Sequence, residues 1–266
     1  MLKTVIQRPR GEGFVSGGSE AGWSPPVLSA AALRVLSPVL DSLRDLGAEA
    51  NALFAKGEQP TPEDLPLLRP AIHATLESLD GLASGCGFLA APNAFRGGRL
   101  CQQWWSWAEG EAVELTLDFD SGSESFYDYS VKEYFARPAV TGLPEIEGPY
   151  VDYLCTQEYI LTCAVPVLVR DRFVGVVGAD ISIGSFQRRL LDEDFGGVDI
   201  AAALVNNKGR VIFSTVSRLE PGSMVRNAEL TEWFTAKDRA AVRTTDFKVW
   251  PCEPLPWAVI AFNHDD

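Results

Sequence analysis

The sequence predicts an α+β protein in which N-terminal helices pack on an antiparallel sheet and a second, smaller α+β unit follows. Three observations predict it. Leucines recur at helical spacing as far as Leu82. From Cys86 the apolar residues alternate or run in short blocks, as strands do. After Gly196-Gly197, strand, helix and strand signals return in a shorter version of the same order, a loose likeness too weak to count as a sequence repeat.

Along the chain, residues 1–26 are rich in Gly, Ser and Pro and read as a mobile tail. A helical segment spans residues 27–85. Its first helix starts at Val27, carries Leu33, Leu36, Leu40 and Leu43 on one side, and stops near Gly57. Pro60 and Pro62 open a second helix, on which Leu65, Leu68, Ile72, Leu79 and Leu82 share a face until Gly85 and Gly87 end it.

Residues 86–195 form the first sheet unit. Phe88–Ala91 is a short strand, and Gln102–Ala108 and Ala112–Phe119 form a hairpin around Glu109-Gly110. A loop at Asp120–Glu124 precedes a short helix, Tyr129–Ala136, and Pro138 and Gly142 break the chain. Tyr159–Val169 and Phe173–Ile181 form a second hairpin about Arg170–Arg172, with Pro166 demanding a bulge or an unpaired edge. Ser185–Asp194 is an amphipathic helix. In the smaller unit, residues 196–266, the strands Ile200–Val205 and Arg210–Val216 flank Asn206-Asn207-Lys208-Gly209. The helix Glu229–Ala240 and the strands Val242–Trp250 and Trp257–Asn263 complete it.

Composition narrows the function. A chain of 266 residues, 46% hydrophobic and 22% charged, builds a core that needs no staples. A net charge of −13 repels phosphates and argues against nucleic acid. The five cysteines are odd in number and form no CxxC pair, so they read as reduced core residues in a reducing compartment. No apolar run reaches the ~18 residues of a membrane span, and the first ten residues lack a signal-peptide pattern. These features predict a soluble, cytoplasmic protein without a membrane partner.

The residues that point to chemistry lie between Tyr127 and Ser182. Asp180 ends the strand Phe-Val-Gly-Val-Val-Gly-Ala-Asp-Ile, where a buried carboxylate costs several kcal/mol unless a cation or donors compensate. A ligand ammonium would compensate; the plainer reading is a cap for the following helix, for which Ser182 and Ser185 stand closer. Lys132 beside Tyr134 and Phe135 offers a cation and two rings to a ligand carboxylate, or the rings are core and the lysine is solvated. Tyr127 and Tyr129 flank the same turn. In Gly148-Pro149-Tyr150-Val151-Asp152-Tyr153, the Gly-Pro sets a turn and alternation places Tyr150 and Asp152 on one side, for loop bracing or ligand contact. Of Trp104, Trp105 and Trp107, the face with Trp105 and Trp107 is the candidate pocket wall.

These residues carry a resemblance. The region from about Gly87 to Ile183 resembles a Cache domain, the PAS-like ligand-binding module of bacterial chemoreceptors and sensor kinases, and with the C-terminal unit the chain resembles a double Cache protein with a short second half. Amino-acid-binding members share a Tyr, an Arg five positions on, a Trp two further, then directly a Tyr, and later an Asp closing a strand. Here Tyr127, Lys132, Tyr134, Phe135 and Asp180 take those places, and Tyr127 and Asp180 keep the residue type. The resemblance implies that Asp180 and Tyr127 hold a ligand ammonium and that Lys132 meets a carboxylate, without the planar fork of Arg. It implies a sensor of an amine, amino acid or small carboxylate. Lacking spanning helices and an output module, such a chain would signal through a separate protein, a transcription regulator or kinase, or through a homodimer of its N-terminal helices.

An interaction or scaffold module with a pocket filled by its own side chains is the alternative. An enzyme finds less support: His73 and His264 are the only histidines, and no G-x-S-x-G, Walker, GxGxxG or HExxH motif occurs. No catalytic residue, metal site or cofactor is expected.

Overall fold

A computed structural model of the chain describes residues 25–55, 58–108, 110–154, 156–193 and 201–262. The expected tail lies outside them apart from Pro25 and Pro26, as do Cys155, Gly196-Gly197 and His264.

The first leucine repeat forms α1 (Pro25–Phe54), which buries Leu28, Leu36, Leu43 and Leu46. Its outward stripe carries Arg34, Asp41, Arg44, Asp45 and Glu49, so it offers a second copy a charged surface rather than an apolar one. A 3-10 segment (Pro62–Leu68) leads into α2 (Arg69–Ser78), and the Thr61 N–H and hydroxyl both donate to Asp64 at its start. The second helix therefore stops four residues short of Leu82. Gly85 and Gly87 do not end it; they lie inside a strand, where the neighbouring strand approaches too closely for a side chain.

The first sheet contains β1 (Ala83–Ala90), β2 (Gln102–Ala108), β3 (Glu111–Glu114), β4 (Glu145–Val151), β5 (Tyr159–Val169) and β6 (Arg172–Ser182). Its strands are antiparallel in the order β3-β2-β1-β6-β5-β4. The long β5–β6 hairpin is as expected, turning at Arg170 and Asp171, both at positive φ. Pro166 meets the expectation too. Pairing of β4 to β5 stops at Ala164, so Pro166 lies on an unpaired edge, and a register shift follows at Val167/Leu168. The segment read as a Gly-Pro turn is instead the strand β4, because its residues find β5 on one side.

Between β3 and β4 the expected single short helix divides into a 3-10 turn, Tyr129–Val131, and α3 (Glu133–Thr141). Pro138 does not break α3. Gly142 does, with φ +67° at the C-terminal cap. After β6, α4 (Ile183–Leu191) is capped by Ser182, whose hydroxyl accepts the Ser185 N–H.

The second sheet holds β7 (Ala202–Asn206), β8 (Val211–Ser214), β9 (Val242–Arg243), β10 (Phe247–Pro251) and β11 (Trp257–Phe262), ordered β8-β7-β11-β10-β9, with α5 (Ala228–Thr235) between β8 and β9. The strand expected over Val242–Trp250 is two strands, β9 and β10, folded back on each other at Thr244 and Phe247. The whole is the expected α+β arrangement of helix and two antiparallel sheets. One apolar core joins residues of α1, the reverse face of the first sheet (Cys86, Phe88, Val177, Ala179) and Leu204, Trp257 and Val259 of the second. Among the described residues no helix is long and apolar enough to cross a membrane.

Candidate ligand-binding site

The side of the first sheet away from α1 is built from small residues. Across the strands, Gly85 pairs with Asp180, Asp180 with Thr162, and Thr162 with Glu147. The next row runs Trp104, Gly87, Gly178, Ala164. The Trp104 indole lies across these glycines. A Cβ at Gly87 would stand 3.0 Å from its Cε3, one at Gly178 3.3 Å from its Cη2, and one at Gly85 2.8 Å from its Nε1. A register shift between Glu147 and Tyr150 lets both residues of β4 reach the same space.

The result is a cavity of about 400 Å³. Seven expected residues line it: Tyr127, Tyr129, Lys132, Tyr134, Tyr150, Asp152 and Asp180. Trp104, Leu89, Leu115, Leu117, Glu147, Ile160 and Thr162 also line it, as do Gln102, Val151, Tyr153 and Leu154, and none of these was foreseen. Three expected residues stand elsewhere. Trp105 points to the other face of β2, where the His73 ring meets it at 4.5 Å and the Arg69 guanidinium stacks on it at 4.5 Å. Trp107 shares that face by alternation and is exposed. Phe135 is buried between Tyr129 and Phe173, with ring centroids 5.2 and 5.4 Å away. The choice of face was reversed because alternation groups Trp105 with Trp107 but does not say which side is inside. The signal that would have found Trp104 is the pair of glycines on β1, which leave room for one large ring.

Asp180 sits in the middle of this wall. Thr162 Oγ1 donates to its Oδ1 at 2.6 Å, so the Tyr150 hydroxyl, 2.5 Å from Thr162 Oγ1, must donate in turn to Thr162. Part of the Asp180 surface opens on the cavity, yet protein encloses the carboxyl, and a space walled by rings hydrates a charge far less than bulk water does. Burial pushes its pKa up to about 7, against the Thr162 hydrogen bond and with the help of the nearby Asp152 charge. Ser182 caps α4, so Asp180 is not a helix cap.

The other groups divide into braces and open positions. The Tyr129 hydroxyl donates toward the Ala90 and Cys101 carbonyls, at 2.7 and 2.9 Å, and accepts the Cys101 N–H at 3.2 Å. Asp152 is a loop brace: Oδ1 accepts the Leu154 N–H, and Oδ2 accepts the Thr156 N–H and hydroxyl. Glu147 accepts the Tyr134 N–H at 2.9 Å, and burial raises its pKa against that bond. The Tyr127 and Tyr134 hydroxyls share one hydrogen bond of 3.0 Å, and burial raises both phenols. Lys132 forms the N-terminal cap position of α3 at the cavity mouth, exposed, with Nζ 5.4 Å from the Tyr127 ring centroid.

The fold is similar to that of Cache-type sensory domains of chemoreceptors and histidine kinases. Among solved structures, the chain is similar to a "Methyl-accepting Chemotaxis protein X", with TM-score 0.58 and 18% identity over 90% of this chain and 97% of that one. It is similar to the "extracellular domain of the putative histidine kinase mmHK1S-Z3", with TM-score 0.61 and 14% identity over 89% of each chain. It is also similar to the sensory domain of the Campylobacter jejuni chemoreceptor Tlp3 with isoleucine bound, with TM-score 0.54 and 14% identity over 90% of this chain and 91% of that one. No family model matches the sequence.

Proposed function

We propose that this chain is a sensor module that binds a small charged molecule in the cavity of the first sheet and reports its occupancy to a separate output protein, a transcription regulator or kinase. One observation carries the reading: Asp180, a carboxyl held away from bulk water, faces an open cavity with a single hydrogen bond from Thr162. Amines, amino acids and small carboxylates fall within its scope, with Asp180 and Tyr127 serving an ammonium and Lys132 a carboxylate. The similar sensory domain of Tlp3, solved with isoleucine bound, supports a ligand of this size. An open cavity also weighs against a scaffold whose pocket is filled by its own side chains. The cytoplasmic placement belongs to the proposal and is supported by four free, buried thiols, Cys86, Cys101, Cys163 and Cys252; cell fractionation checks it.

A thermal-shift screen of amines, amino acids and organic acids tests the reading, since a ligand of the folded state raises Tm by mass action. A saturating rise that Asp180→Ala abolishes for cationic compounds supports it. A screen with no rise in any class overturns it, and a rise with a cationic compound that survives Asp180→Ala unchanged overturns the role of Asp180.

A further inference from the structure

We infer that the cavity selects an amine that carries no carboxylate, its ammonium seated on Asp180 and its apolar body lying against Trp104 and the tyrosine rings. This rests on the ligand-binding role just proposed and narrows it.

The charges around the cavity are unequal. Glu147, Asp152 and Asp180 line it, against one cation, Lys132. That lysine is exposed at the mouth, with its ammonium over the Tyr127 ring. An acid group deeper in the cavity would face three carboxyls and no interior cation among the lining residues. Several of the neutral donors are already engaged. The Tyr150 proton goes to Thr162, the Tyr129 proton to backbone carbonyls, and Gln102 Nε2 to the Leu115 carbonyl. The Tyr127–Tyr134 pair shares one bond, which leaves one hydroxyl proton between them; the Trp104 indole N–H, the second Gln102 amide proton and the hydroxyl of the exposed Tyr153 are the other side-chain donors of the wall. A carboxylate inside would depend on these neutral donors to replace its water, with three carboxyls around it.

An ammonium meets the opposite situation. Asp180 Oδ1 takes the Thr162 proton, and the carboxylate has further lone pairs to accept ligand N–H groups. Tyr127, Tyr134 and Tyr150 present π-faces or phenol oxygens around it, and both suit a cation. The rest of the wall, Leu89, Leu115, Leu117 and Ile160, suits hydrocarbon. The same arithmetic turns a zwitterion into a poorer guest than the amine of the same skeleton.

The test uses matched compounds on the unaltered protein at pH 7.5, by calorimetry: 2-methylbutylamine, isoleucine and 3-methylpentanoate, then phenethylamine, phenylalanine and 3-phenylpropionate. Within a trio, the amine should bind at least tenfold more tightly than the amino acid, and the acid should give no measurable heat. Lys132→Gln should tighten amine binding about two- to fivefold by removing a like charge at the mouth. An amino acid or acid that binds as tightly as its amine overturns this inference and leaves the sensor reading standing. The same holds if the wider thermal-shift screen finds only carboxylate-bearing ligands. Silence from every compound in that screen overturns the sensor reading and this inference with it.

Discussion

At Asp180 the chain holds a carboxyl that prefers to be neutral in the folded state. Because its pKa rises from an ordinary value of 3.8 to about 7, the folded protein binds an extra proton between those limits. The group therefore costs nothing at low pH, and stability falls as pH rises through that window, with the full penalty present above about pH 7. Asp180→Asn should stabilise the ligand-free protein by about 1–3 kcal/mol at pH 8 and by little at pH 4, measured by urea unfolding at the two pH values. Cation binding runs the other way. A cationic ligand needs the ionised carboxylate, so its affinity should climb about tenfold per unit as pH rises below about 7 and level off above it, as titration calorimetry would show. A flat profile from pH 5.5 to 8 would remove Asp180 from the contact. This residue was legible in the sequence because a carboxylate inside an apolar strand is conspicuous by itself. Trp104 was not, since three tryptophans in four positions give the alternation but not its sign.

Glycine misled at the scale of elements. Gly85 and Gly87 read as helix stops, and Gly148-Pro149 reads as a turn, because a sequence shows the missing side chain but not the neighbour that requires it to be missing. In β1 that neighbour is β2: a Cβ on Gly87 would lie 2.2 Å from the Gln103 carbonyl oxygen. Gly87→Ala should therefore cost about 1–3 kcal/mol by urea unfolding and loosen the β1–β2 pairing that carries Trp104. In β4, Gly148 at φ +127° lies against the Ile160 carbonyl, and the shift there turns Glu147 and Tyr150 into the cavity. The β5–β6 hairpin, by contrast, was readable nearly to the residue. Two long apolar runs around a charged turn leave few alternatives, and only partner strands, not local propensity, decide a segment as mixed as Glu145–Val151.

Across the whole molecule, the two sheets share more than a covalent link. The turn after β7 holds β4 and the start of α3, two elements that carry cavity-lining residues. Asn206 Nδ2 donates to the Gly148 carbonyl at 2.6 Å, and Lys208 Nζ meets the Glu133 carboxylate at 2.6 Å. The Asn206 side chain is buried, and its Oδ1 accepts the Lys208 and Arg210 N–H groups at 2.9 Å each. Asn206→Ala should leave these groups unpaired and cost about 1–3 kcal/mol in chemical unfolding, whereas Lys208→Ala, at an exposed pair, should cost under about 1 kcal/mol. With α1 packed against residues of both sheets, heating should give one cooperative transition, the same by far-UV and near-UV circular dichroism. Two separated transitions would show that the halves melt independently. A shared collapse has a reach beyond the cavity. Backbone protons in the middle of β11 escape to solvent only when everything opens, so a guest settling among the tyrosines slows their exchange in a strand it never meets.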